Sequence, residues 1–372
     1  MKVNLLGAGR VGSFVASELS KEGFDIFAYD ISEETLSILS NKGIKTVKFD
    51  AREDEELLKA IKKGDLIINA LPGSIGFKIL NIAIEEKKSI VDISFMPENP
   101  LVLNKKAKLN NITAIVDMGI APGLSHFLIG REYYLNKNLQ GAKIYVGGIP
   151  AERTSPFQYK APFSPFDVLE EYTRKARYRF NGILSEADPL TDLEEIYFPG
   201  IGTLEAFLTD GLRTLLTTLP IPTLIEKTLR YPGHCQAIKI LKATGLLDKE
   251  PIEYKGNLIV PIEFLSKLLF PIWELKKDDK ELTVLLIFLW TNEKEINYIL
   301  FETTDEENGI TSMAKTTGIP AIIMTKLLAE GKIKKKGIFS PEVLGMDNEI
   351  YENFMENFEK KGIFLKKQEI KK

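Results

Sequence analysis

The hexapeptide RYPGHC at residues 230–235 contains the only cysteine of the chain and one of its two histidines. A thiol beside an imidazole can act as a covalent nucleophile, because the imidazole takes up the thiol proton. The same residues can instead line a substrate pocket, or form a turn whose histidine serves a site built elsewhere. With two histidines and one cysteine, a zinc site of the usual Cys and His ligands cannot be closed.

A second chemical pattern lies at the start of the chain, where residues 7–12 read GAGRVG. In a G-x-G-x-x-G motif the first glycine permits a tight turn, the second lets the backbone approach a pyrophosphate, and the third lets the next helix pack closely on the strand. An apolar run precedes this motif and helically spaced apolar residues follow it. The pattern predicts a dinucleotide held by Gly7, Gly9, Arg10, Val11 and Gly12.

Asp30 ends the next apolar run, FDIFAYD, and lies 23 positions after Gly7. An acid at this place accepts hydrogen bonds from the hydroxyls of the adenosine ribose and repels a 2′-phosphate. The nearest downstream arginine, Arg52, lies beyond the following predicted strand. We therefore predict NAD as the cofactor in preference to NADP.

The elements that position these residues alternate between apolar runs and helical patterns. Predicted strands cover residues 2–6, 24–29, 44–49, 65–71, 89–95 and 112–119. This alternation is typical of the α/β class, as a Rossmann-type, doubly wound parallel sheet. Ligands of such sheets bind at the carboxyl ends of the strands. That edge adds Ala70, Leu71 and Pro72 to the predicted cofactor-binding residues.

Two acids fall at the same predicted edge. Asp92 and Asp117 end the fifth and sixth predicted strands, and we expect them to reach the nicotinamide or the substrate. They are the candidate catalytic carboxylates. The alternative is that each caps the next element, as acids at strand ends often do.

The pattern changes after Pro122. Strand-like runs near 142–150, 156–162, 193–199, 256–263, 281–290 and 295–303 are separated by helical stretches near 123–137, 165–178, 204–218 and 234–246, before a helix at 318–331. This mixture predicts an inserted α+β domain on a mixed or antiparallel sheet. We therefore predict an NAD-binding domain at 1–122, a substrate-binding and dimerisation domain at 123–317, and a helical segment at 318–372 that returns to the first domain.

Composition excludes several classes of function. The net charge of −3 gives no basic field for nucleic acid. The longest strongly apolar run, at 282–290, is far shorter than the roughly 20 residues of a membrane helix. The N-terminal stretch reaches glycine too early for a secretory apolar region. We expect a cytoplasmic protein with no metal, no nucleic-acid partner and no membrane partner.

The motifs together resemble the saccharopine dehydrogenase family, and most closely its lysine 6-dehydrogenase branch. The segments that carry the resemblance are LGAGRVG, INALPG, VDISFMPENP, VDMGIAPGLSH, YVGGIP, EAFLTDGLRTLL, TLRYPGH and GIFSPEVLG. The resemblance implies an NAD-dependent enzyme that oxidises the side-chain amine of L-lysine to 2-aminoadipate 6-semialdehyde and ammonia. It also implies a homodimer that pairs largely through the inserted domain.

The chain departs from the saccharopine-forming members at two positions. Ala121 stands where they carry the aspartate of Asp-Pro-Gly, and Val146 stands where they carry the cysteine of Cys-Gly-Gly. Both departures favour the lysine-oxidising branch. Saccharopine dehydrogenase or a related reductive condensation remains the alternative, and a non-catalytic NAD-binding sensor is the third.

The resemblance also assigns roles in the substrate site. The family's substrate-carboxylate arginine falls on Arg230, which offers a guanidinium fork to the α-carboxylate. Arg213 is either a second anchor or half of a structural ion pair, and Tyr159 is a further candidate substrate-binding residue. His234 is either a catalytic proton partner or a helix-start histidine bound to nearby backbone. We expect Cys235 to be a small buried apolar residue, because hydride transfer needs no nucleophile.

Overall fold

The structure is a computed structural model that describes residues 1–276 and 278–372. Its internal contacts divide the chain into two units. Unit 1 comprises Met1–Leu139, Arg213–Pro220 and Met313–Phe364, and unit 2 comprises Gln140–Leu212, Ile221–Ser312 and Leu365–Lys372.

Unit 1 contains a sheet of seven parallel strands. They are β1 (Lys2–Leu6), β2 (Asp25–Asp30), β3 (Lys45–Lys48), β4 (Leu66–Asn69), β5 (Ser89–Asp92), β6 (Thr113–Ile115) and β17 (Gly337–Phe339). Their order in the sheet is β17-β6-β5-β4-β1-β2-β3. The order reverses beside β1, as in doubly wound folds, so the predicted Rossmann-type sheet is confirmed.

Unit 1 contains ten α-helices among the described residues. They are α1 (Arg10–Lys21), α2 (Glu33–Asn41), α3 (Asp54–Lys62), α4 (Gly73–Glu85), α5 (Asn104–Leu109), α6 (Leu124–Leu135), α8 (Leu215–Thr218), α11 (Ser312–Ala329), α12 (Pro341–Gly345) and α13 (Asn348–Lys360). Helices α1–α5 and α11 contribute to the apolar clusters of the sheet. Neighbouring residues of β1 supply separate apolar clusters, Leu5 to one and Leu6 to the other. Because both faces are covered, the central strand β4 is buried throughout and β5 is buried except at its first residue.

Unit 2 is built on a mixed sheet of nine strands. They are β7 (Gly141–Pro150), β8 (Ala176–Phe180), β9 (Ile183–Ala187), β10 (Glu194–Phe198), β11 (Gly202–Leu208), β12 (Thr223–Arg230), β15 (Glu281–Trp290), β16 (Lys294–Thr303) and β18 (Leu365–Lys371). The main path is β10-β11-β12-β7-β15-β16-β18, and β8 pairs with β12 and β9. Strands β12 and β7 are parallel, whereas the other pairs of this sheet are antiparallel.

The remaining elements of unit 2 are three helices and a small hairpin. They are α7 (Pro165–Thr173), α9 (His234–Ala243), α10 (Pro261–Trp273), β13 (Ile252–Tyr254) and β14 (Asn257–Ile259). One face of the large sheet packs its own apolar side chains together, among them Leu229 of β12. A separate cluster joins the helices to Phe207 of β11. The predicted α+β class of this domain is confirmed.

Several predicted boundaries differ from the structure. The predicted helix at 204–218 begins with strand β11, because Gly202–Leu208 pairs between β10 and β12, and only Leu215–Thr218 is helical. The strand-like run at 156–162 contains a single bridge, between Ala161 and Glu274. Helix α7 ends at Thr173, where the predicted helix ran on to 178, and strand β14 ends at Ile259 before α10 begins.

The division of the chain also differs from the predicted domains. Helix α6 belongs to unit 1, where α12 packs so closely on it that a β-carbon on Gly130 would lie 2.0 Å from the carbonyl oxygen of Glu342. Residues Arg213–Pro220 belong to unit 1 as well. The last strand, β18, pairs with β16 of unit 2. The predicted segment 318–372 is therefore divided, with residues up to Phe364 in unit 1 and Leu365–Lys372 in unit 2.

Within residues 1–276 and 278–372, no helix has both the length and the apolar character required to cross a membrane.

Candidate active site

The glycine loop of unit 1 has the geometry of a phosphate-binding turn. Gly7 has a φ of 92°, which favours glycine, and a β-carbon on Gly12 would lie 1.9 Å from the carbonyl oxygen of Gly7. By contrast, a β-carbon on Gly9 would have no neighbour within 4 Å. Gly9 is the N-cap of α1 and no side chain caps this helix. The open space at Gly9 and the uncapped helix start fit a pyrophosphate.

Asp30 lies at the carboxyl end of β2, as predicted. Its Oδ2 accepts a hydrogen bond from the backbone N–H of Ala8 at 2.6 Å, and its Oδ1 accepts one from Ser32 at 2.8 Å. A carboxylate offers about four lone pairs, so acceptors remain for ribose hydroxyls. The backbone bond to Ala8 joins the glycine loop to the acid and holds both in one arrangement. These residues therefore fit a dinucleotide.

The predicted cofactor residues Ala70, Leu71 and Pro72 follow β4 at the same edge of the sheet. A β-carbon on Gly7 would lie 2.7 Å from the carbonyl oxygen of Ala70, so this turn borders the glycine loop. The N–H of Leu71 donates to Oδ1 of Asn69, the last residue of β4. The structure therefore brings the predicted cofactor residues of the two turns together.

Asp92 is buried at the end of β5 and is held by hydrogen bonds. Its Oδ1 accepts from the backbone and hydroxyl of Ser94 at 2.7 and 2.6 Å, and its Oδ2 accepts from Nδ2 of Asn69 at 2.8 Å. Burial raises the pKa of Asp92 to about 7, and the nearby charge of Asp117 adds to the rise. Asp92 therefore takes up or releases a proton near neutral pH.

Asp117 follows β6 and is buried with a φ of 54°, a conformation that few non-glycine residues adopt. Its Oδ1 lies 3.1 Å from Nη2 of Arg213, and its Oδ2 has no hydrogen-bond partner among the described residues. Arg213 also donates to the carbonyl oxygens of Met96 and Glu98. The structure thus shows the ion-pair alternative for Arg213, and a role as substrate anchor would require breaking these bonds.

Arg230 is the last residue of β12 in unit 2, and only 1% of it is exposed. Its guanidinium donates to the carboxylate of Glu171, to the hydroxyl of Tyr172 at 3.3 Å and to the carbonyl oxygen of Leu229 at 2.9 Å. It also lies over the ring of Tyr159, 4.5 Å from the centroid. A guanidinium has five N–H donors, so these three bonds leave two of them for another acceptor.

His234 and Tyr159 belong to the same cluster. The Nδ1 of His234 lies 2.8 Å from the carbonyl oxygen of Phe157, and its Nε2 lies 2.8 Å from the hydroxyl of Tyr172. A carbonyl only accepts, so Nδ1 carries the proton and Nε2 accepts from Tyr172. Burial, with the nearby charge of Arg230, lowers the pKa of His234 to about 3. The structure therefore shows a neutral histidine bound to backbone, the second of the predicted alternatives.

Three polar residues of this part of unit 2 were not predicted from the sequence. Glu171 and Tyr172 lie on α7, and Glu226 lies on β12, four residues before Arg230. Burial raises the pKa of Glu226 to about 8. The signal for Glu226 lies in the segment TLIEKTLR, whose acid and arginine project from the same face if the segment is a strand. Strand β12 itself was not predicted.

No group of three or more histidine, cysteine, aspartate or glutamate side chains is placed to hold a metal ion within 1–276 and 278–372.

Comparison with known proteins identifies the family to which these features belong. A family model described as the saccharopine dehydrogenase NADP binding domain matches residues 3–115, and one described as the saccharopine dehydrogenase C-terminal domain matches residues 119–363. The structure also resembles that of the apo saccharopine dehydrogenase (L-Glu forming) from Saccharomyces cerevisiae. That comparison gives a TM-score of 0.79 at 21% identity and covers 99% of each chain. At this identity the likeness shows the fold.

Curated relatives have several names. Mitochondrial alpha-aminoadipic semialdehyde synthase of Rattus norvegicus is 24% identical over 99% of this chain, which spans 48% of that protein. Carboxyaminopropylagmatine dehydrogenase of a Synechocystis strain is 25% identical over 93% of both proteins. Saccharopine dehydrogenase (NADP(+), L-glutamate-forming) of Saccharomyces cerevisiae is 24% identical over 99% of both. The chain therefore spans about half the length of the synthase relatives it matches.

The second and third glycines of the motif, Gly9 and Gly12, should respond differently to substitution. Gly12→Ala should lower the free energy of unfolding by about 1–3 kcal/mol, because its β-carbon overlaps the carbonyl oxygen of Gly7. Gly9→Ala should fold normally and bind the dinucleotide at least tenfold more weakly, since the methyl group occupies the space of the pyrophosphate. Chemical denaturation and titration with NADH fluorescence measure the two effects. Equal cofactor affinity for Gly9→Ala and the wild type would contradict this assignment.

Cys235 should be dispensable for turnover. Burial, together with the nearby Glu205, raises the pKa of its thiol above the usual range, so the thiolate that a nucleophile requires is not formed near neutral pH. Cys235→Ala should keep kcat within about threefold of the wild-type value, with thermal unfolding as the check on folding. A loss beyond roughly a hundredfold in a folded variant would return the covalent mechanism to consideration.

Proposed function

Since the chain belongs to the saccharopine dehydrogenase family, we propose that it is a dehydrogenase that removes the ε-amine of L-lysine and yields 2-aminoadipate 6-semialdehyde and ammonia. The observation that carries this proposal is the number of buried cations on one face of the unit 2 sheet. Side chains of a strand alternate between its two faces, so Glu226, Thr228 and Arg230 of β12 share a face and Lys227 lies on the other. The proposal therefore concerns the face that carries Arg230.

Among the described residues, Arg230 is the only buried arginine or lysine on that face. The other cation that unit 2 buries is Lys227, which lies on the opposite face of β12 with its Nζ 2.8 Å from carboxylates of both Asp192 and Glu194. A carboxylate that leaves water costs several kcal/mol unless a cation pairs with it. Arg230 is already bonded to Glu171 but keeps two N–H donors, and one such cation matches the single carboxylate of lysine. Saccharopine adds the two carboxylates of its glutamate half, which would need further buried partners.

The polar groups around Arg230 support an amino-acid carboxylate as its ligand. Glu171, Tyr172 and Leu229 use three of its N–H donors, and two on the terminal nitrogens remain. The hydroxyl of Tyr159 and the Nε1 of Trp273, whose rings are 5.5 Å apart, are buried without partners among the described residues. The cluster therefore has donors in excess, as a carboxylate ligand requires. Tyr159 would contribute its hydroxyl to this ligand.

The remaining residues supply position and proton control. When bound at the glycine loop, the nicotinamide cofactor accepts a hydride from carbon 6 of lysine. Arg230 would hold the α-carboxylate, while His234 and Tyr172 hold the guanidinium in place through their hydrogen bonds. Asp92 and Asp117 stay predictions as catalytic carboxylates at the carboxyl edge of unit 1. Val146 and Ala121 offer neither the thiol nor the acid of the saccharopine-forming members.

NAD remains the proposed cofactor, although the matched domain model and the yeast relative have NADP in their names. Asp30 ends β2, Glu33 begins α2, and Lys48 lies opposite Asp30 on β3. The cations close by are already paired, Lys48 with Glu33 and Arg52 with Asp50. A 2′-phosphate would meet carboxylates there, which supports NAD.

Saccharopine dehydrogenase, or a related condensation of an amine with an aldehyde, is the second candidate, and the names of the relatives favour it. A panel of amines with NAD and NADP, read as NADH or NADPH absorbance, separates the two. Lysine alone should reduce the cofactor in the forward assay. Turnover that requires saccharopine, or 2-aminoadipate semialdehyde with glutamate in reverse, would replace the proposal with the second candidate.

A homodimer stays a prediction from the resemblance, and a cytoplasmic location stays a prediction from the composition of the chain. Light scattering of the purified chain measures the first.

Cofactor preference follows from Asp30. The wild type should use NAD with a kcat/KM at least tenfold above that with NADP, because the carboxylate repels the 2′-phosphate. Asp30→Ser combined with Ile31→Arg should move the preference toward NADP. Equal kcat/KM values of the wild-type protein with both cofactors would contradict the NAD assignment.

The carboxylate anchor is tested at Arg230. Arg230→Lys should raise KM for lysine and lower kcat/KM at least thirtyfold, since a lost charged hydrogen-bond pair in a desolvated site costs about 2–5 kcal/mol. NAD affinity should hardly change. Arg179→Lys, which alters a guanidinium bound to the carbonyl oxygen of Ile221, is the matched control. A normal KM for lysine in Arg230→Lys would place the carboxylate elsewhere.

A further inference from the structure

The proposed reaction requires a group that accepts a proton from the substrate. An alkyl ammonium such as the ε-group of lysine has a pKa near 10.4 in water, and it must lose a proton before its carbon can give up hydride. Val146 lacks the thiol of the saccharopine-forming members, and Ala121 lacks their acid. This inference rests on the proposed function and asks which residue takes up that proton.

Glu226 has the right place in the sheet. It lies on β12 with the same parity as Thr228 and Arg230, so the three side chains project from one face. In the parallel register with β7, Val146 lies opposite Thr228 and Ile144 lies opposite Glu226. Glu226 is therefore a diagonal neighbour of Val146, about 7–8 Å from it across the strand pair, and lies on the same face as the position of the missing thiol.

The spacing of Glu226 and Arg230 matches the length of lysine. Four residues of strand cover about 13 Å at a rise of about 3.3 Å per residue. Extended lysine spans about 7.5 Å from its carboxylate carbon to its amine nitrogen, since six bonds of about 1.5 Å follow a zigzag. A charge-assisted hydrogen bond of about 2.8 Å at each end brings the span to about 13 Å. Measured between Cα positions, a lysine anchored at Arg230 and lying along β12 would therefore reach the part of the strand that carries Glu226.

The hydrogen bonds of Glu226 leave one oxygen for a substrate. Thr209 donates its hydroxyl to Oε2 at 2.6 Å, and the N–H of Gly211 donates to the same oxygen at 3.1 Å. Oε1 accepts no hydrogen bond among the described residues. These two bonds orient the carboxyl. Gly211 also packs closely against it, since a β-carbon on Gly211 would lie 2.6 Å from the carboxyl carbon of Glu226.

The charges around Glu226 help to keep its pKa in the pH range where a general base is effective. Glu171 and Asp210 face it and, after burial, raise the pKa of Glu226 to about 8. The cations nearby are bound to those acids, Arg230 to Glu171 and Arg177 to Asp210, the latter at 2.7 Å. A general base is most effective when its pKa lies close to the working pH.

Other acids and bases of unit 2 are already bound. His234 uses both ring nitrogens, and Glu171 pairs with Arg230. Glu281 accepts a hydrogen bond from Ser312 at 2.9 Å. Glu226 is thus a buried carboxyl of this face that has no cationic partner and whose two hydrogen bonds both reach Oε2.

We propose that Glu226 is the proton acceptor for the ε-ammonium of the substrate. The N–H bond breaks and an O–H bond forms on Oε1 of Glu226. The nitrogen lone pair then forms the C=N bond as hydride leaves carbon 6 for the nicotinamide, so the substrate is oxidised by two electrons and the cofactor is reduced by two. Water adds to the iminium carbon, ammonia leaves, and the aldehyde remains.

The test compares Glu226→Gln with the wild type in steady-state assays from about pH 6 to 10, with lysine and NAD. Gln keeps the size of the side chain and can accept from Thr209 and Gly211. At pH 8 we expect kcat/KM to fall by about 10²–10⁴ with KM for lysine within a few-fold of wild type. In the wild type, kcat/KM should rise with pH through a pKa near 8, because the acceptor must be ionised, and this limb should be absent in the variant.

Two further variants complete the design. Glu226→Asp keeps the carboxylate and should restore part of the rate together with the pH limb. Glu195→Gln removes an exposed acid on β10 and should behave as the wild type. Thermal unfolding with NAD and lysine present checks that each variant folds and still binds both. A folded Glu226→Gln protein with turnover within threefold of wild type and the same pH limb would overturn the proposal.

Failure of the proposed function gives a different result. If the wild type oxidises another amine in place of lysine, the lysine assignment fails and Glu226→Gln is compared on that amine, with the same criteria. If the panel yields no amine oxidation, the role of Glu226 is overturned along with the function.

Discussion

The buried charge of Arg230 constrains most of unit 2. A guanidinium that is removed from water costs several kcal/mol unless its donors and its charge are met. Glu171 supplies the opposite charge and Tyr172 accepts from Nε, so helix α7 must lie against the end of β12. Tyr172 in turn donates to His234, which starts α9 and donates to Phe157. One cation therefore fixes two helices, a strand end and a connecting segment.

The hexapeptide at 230–235 takes its meaning from this network. His234 and Cys235 are adjacent in sequence, yet the imidazole is used to orient Tyr172 and the thiol packs in an apolar cluster. A covalent mechanism would require the thiol to ionise beside a base, and burial opposes the charged forms of both groups. The arginine of the hexapeptide, and not its cysteine, is the residue that we propose takes part in the reaction, as the anchor of the substrate carboxylate.

Buried acids in this chain fall into two groups according to their partners. Asp117 and Glu171 are paired with arginines, which ties them to structure. Asp92 and Glu226 have hydrogen bonds but no cation, so burial raises the pKa of each toward or above neutrality. A buried carboxyl that titrates near the working pH is suited to proton transfer, whereas one paired with arginine is suited to positioning. We propose that Glu226 has such a role in unit 2, and Asp92 stays a prediction in unit 1.

The sequence by itself determined the nucleotide-binding half and the family. The glycine loop, Asp30 and the turn after β4 depend on local backbone conformation and on the ends of neighbouring parallel strands, which short patterns encode. Only the tertiary structure decided the ion pairs, because their partners are far apart in the chain: Arg213 and Asp117 are separated by 96 positions, and Arg230 and Glu171 by 59. It also decided that 202–208 is a strand and that β12 exists, since strand pairing is non-local and overrides local propensity. For the same reason, the sequence did not indicate Glu226 as a candidate, because its position relative to Val146 depends on the pairing of β12 with β7.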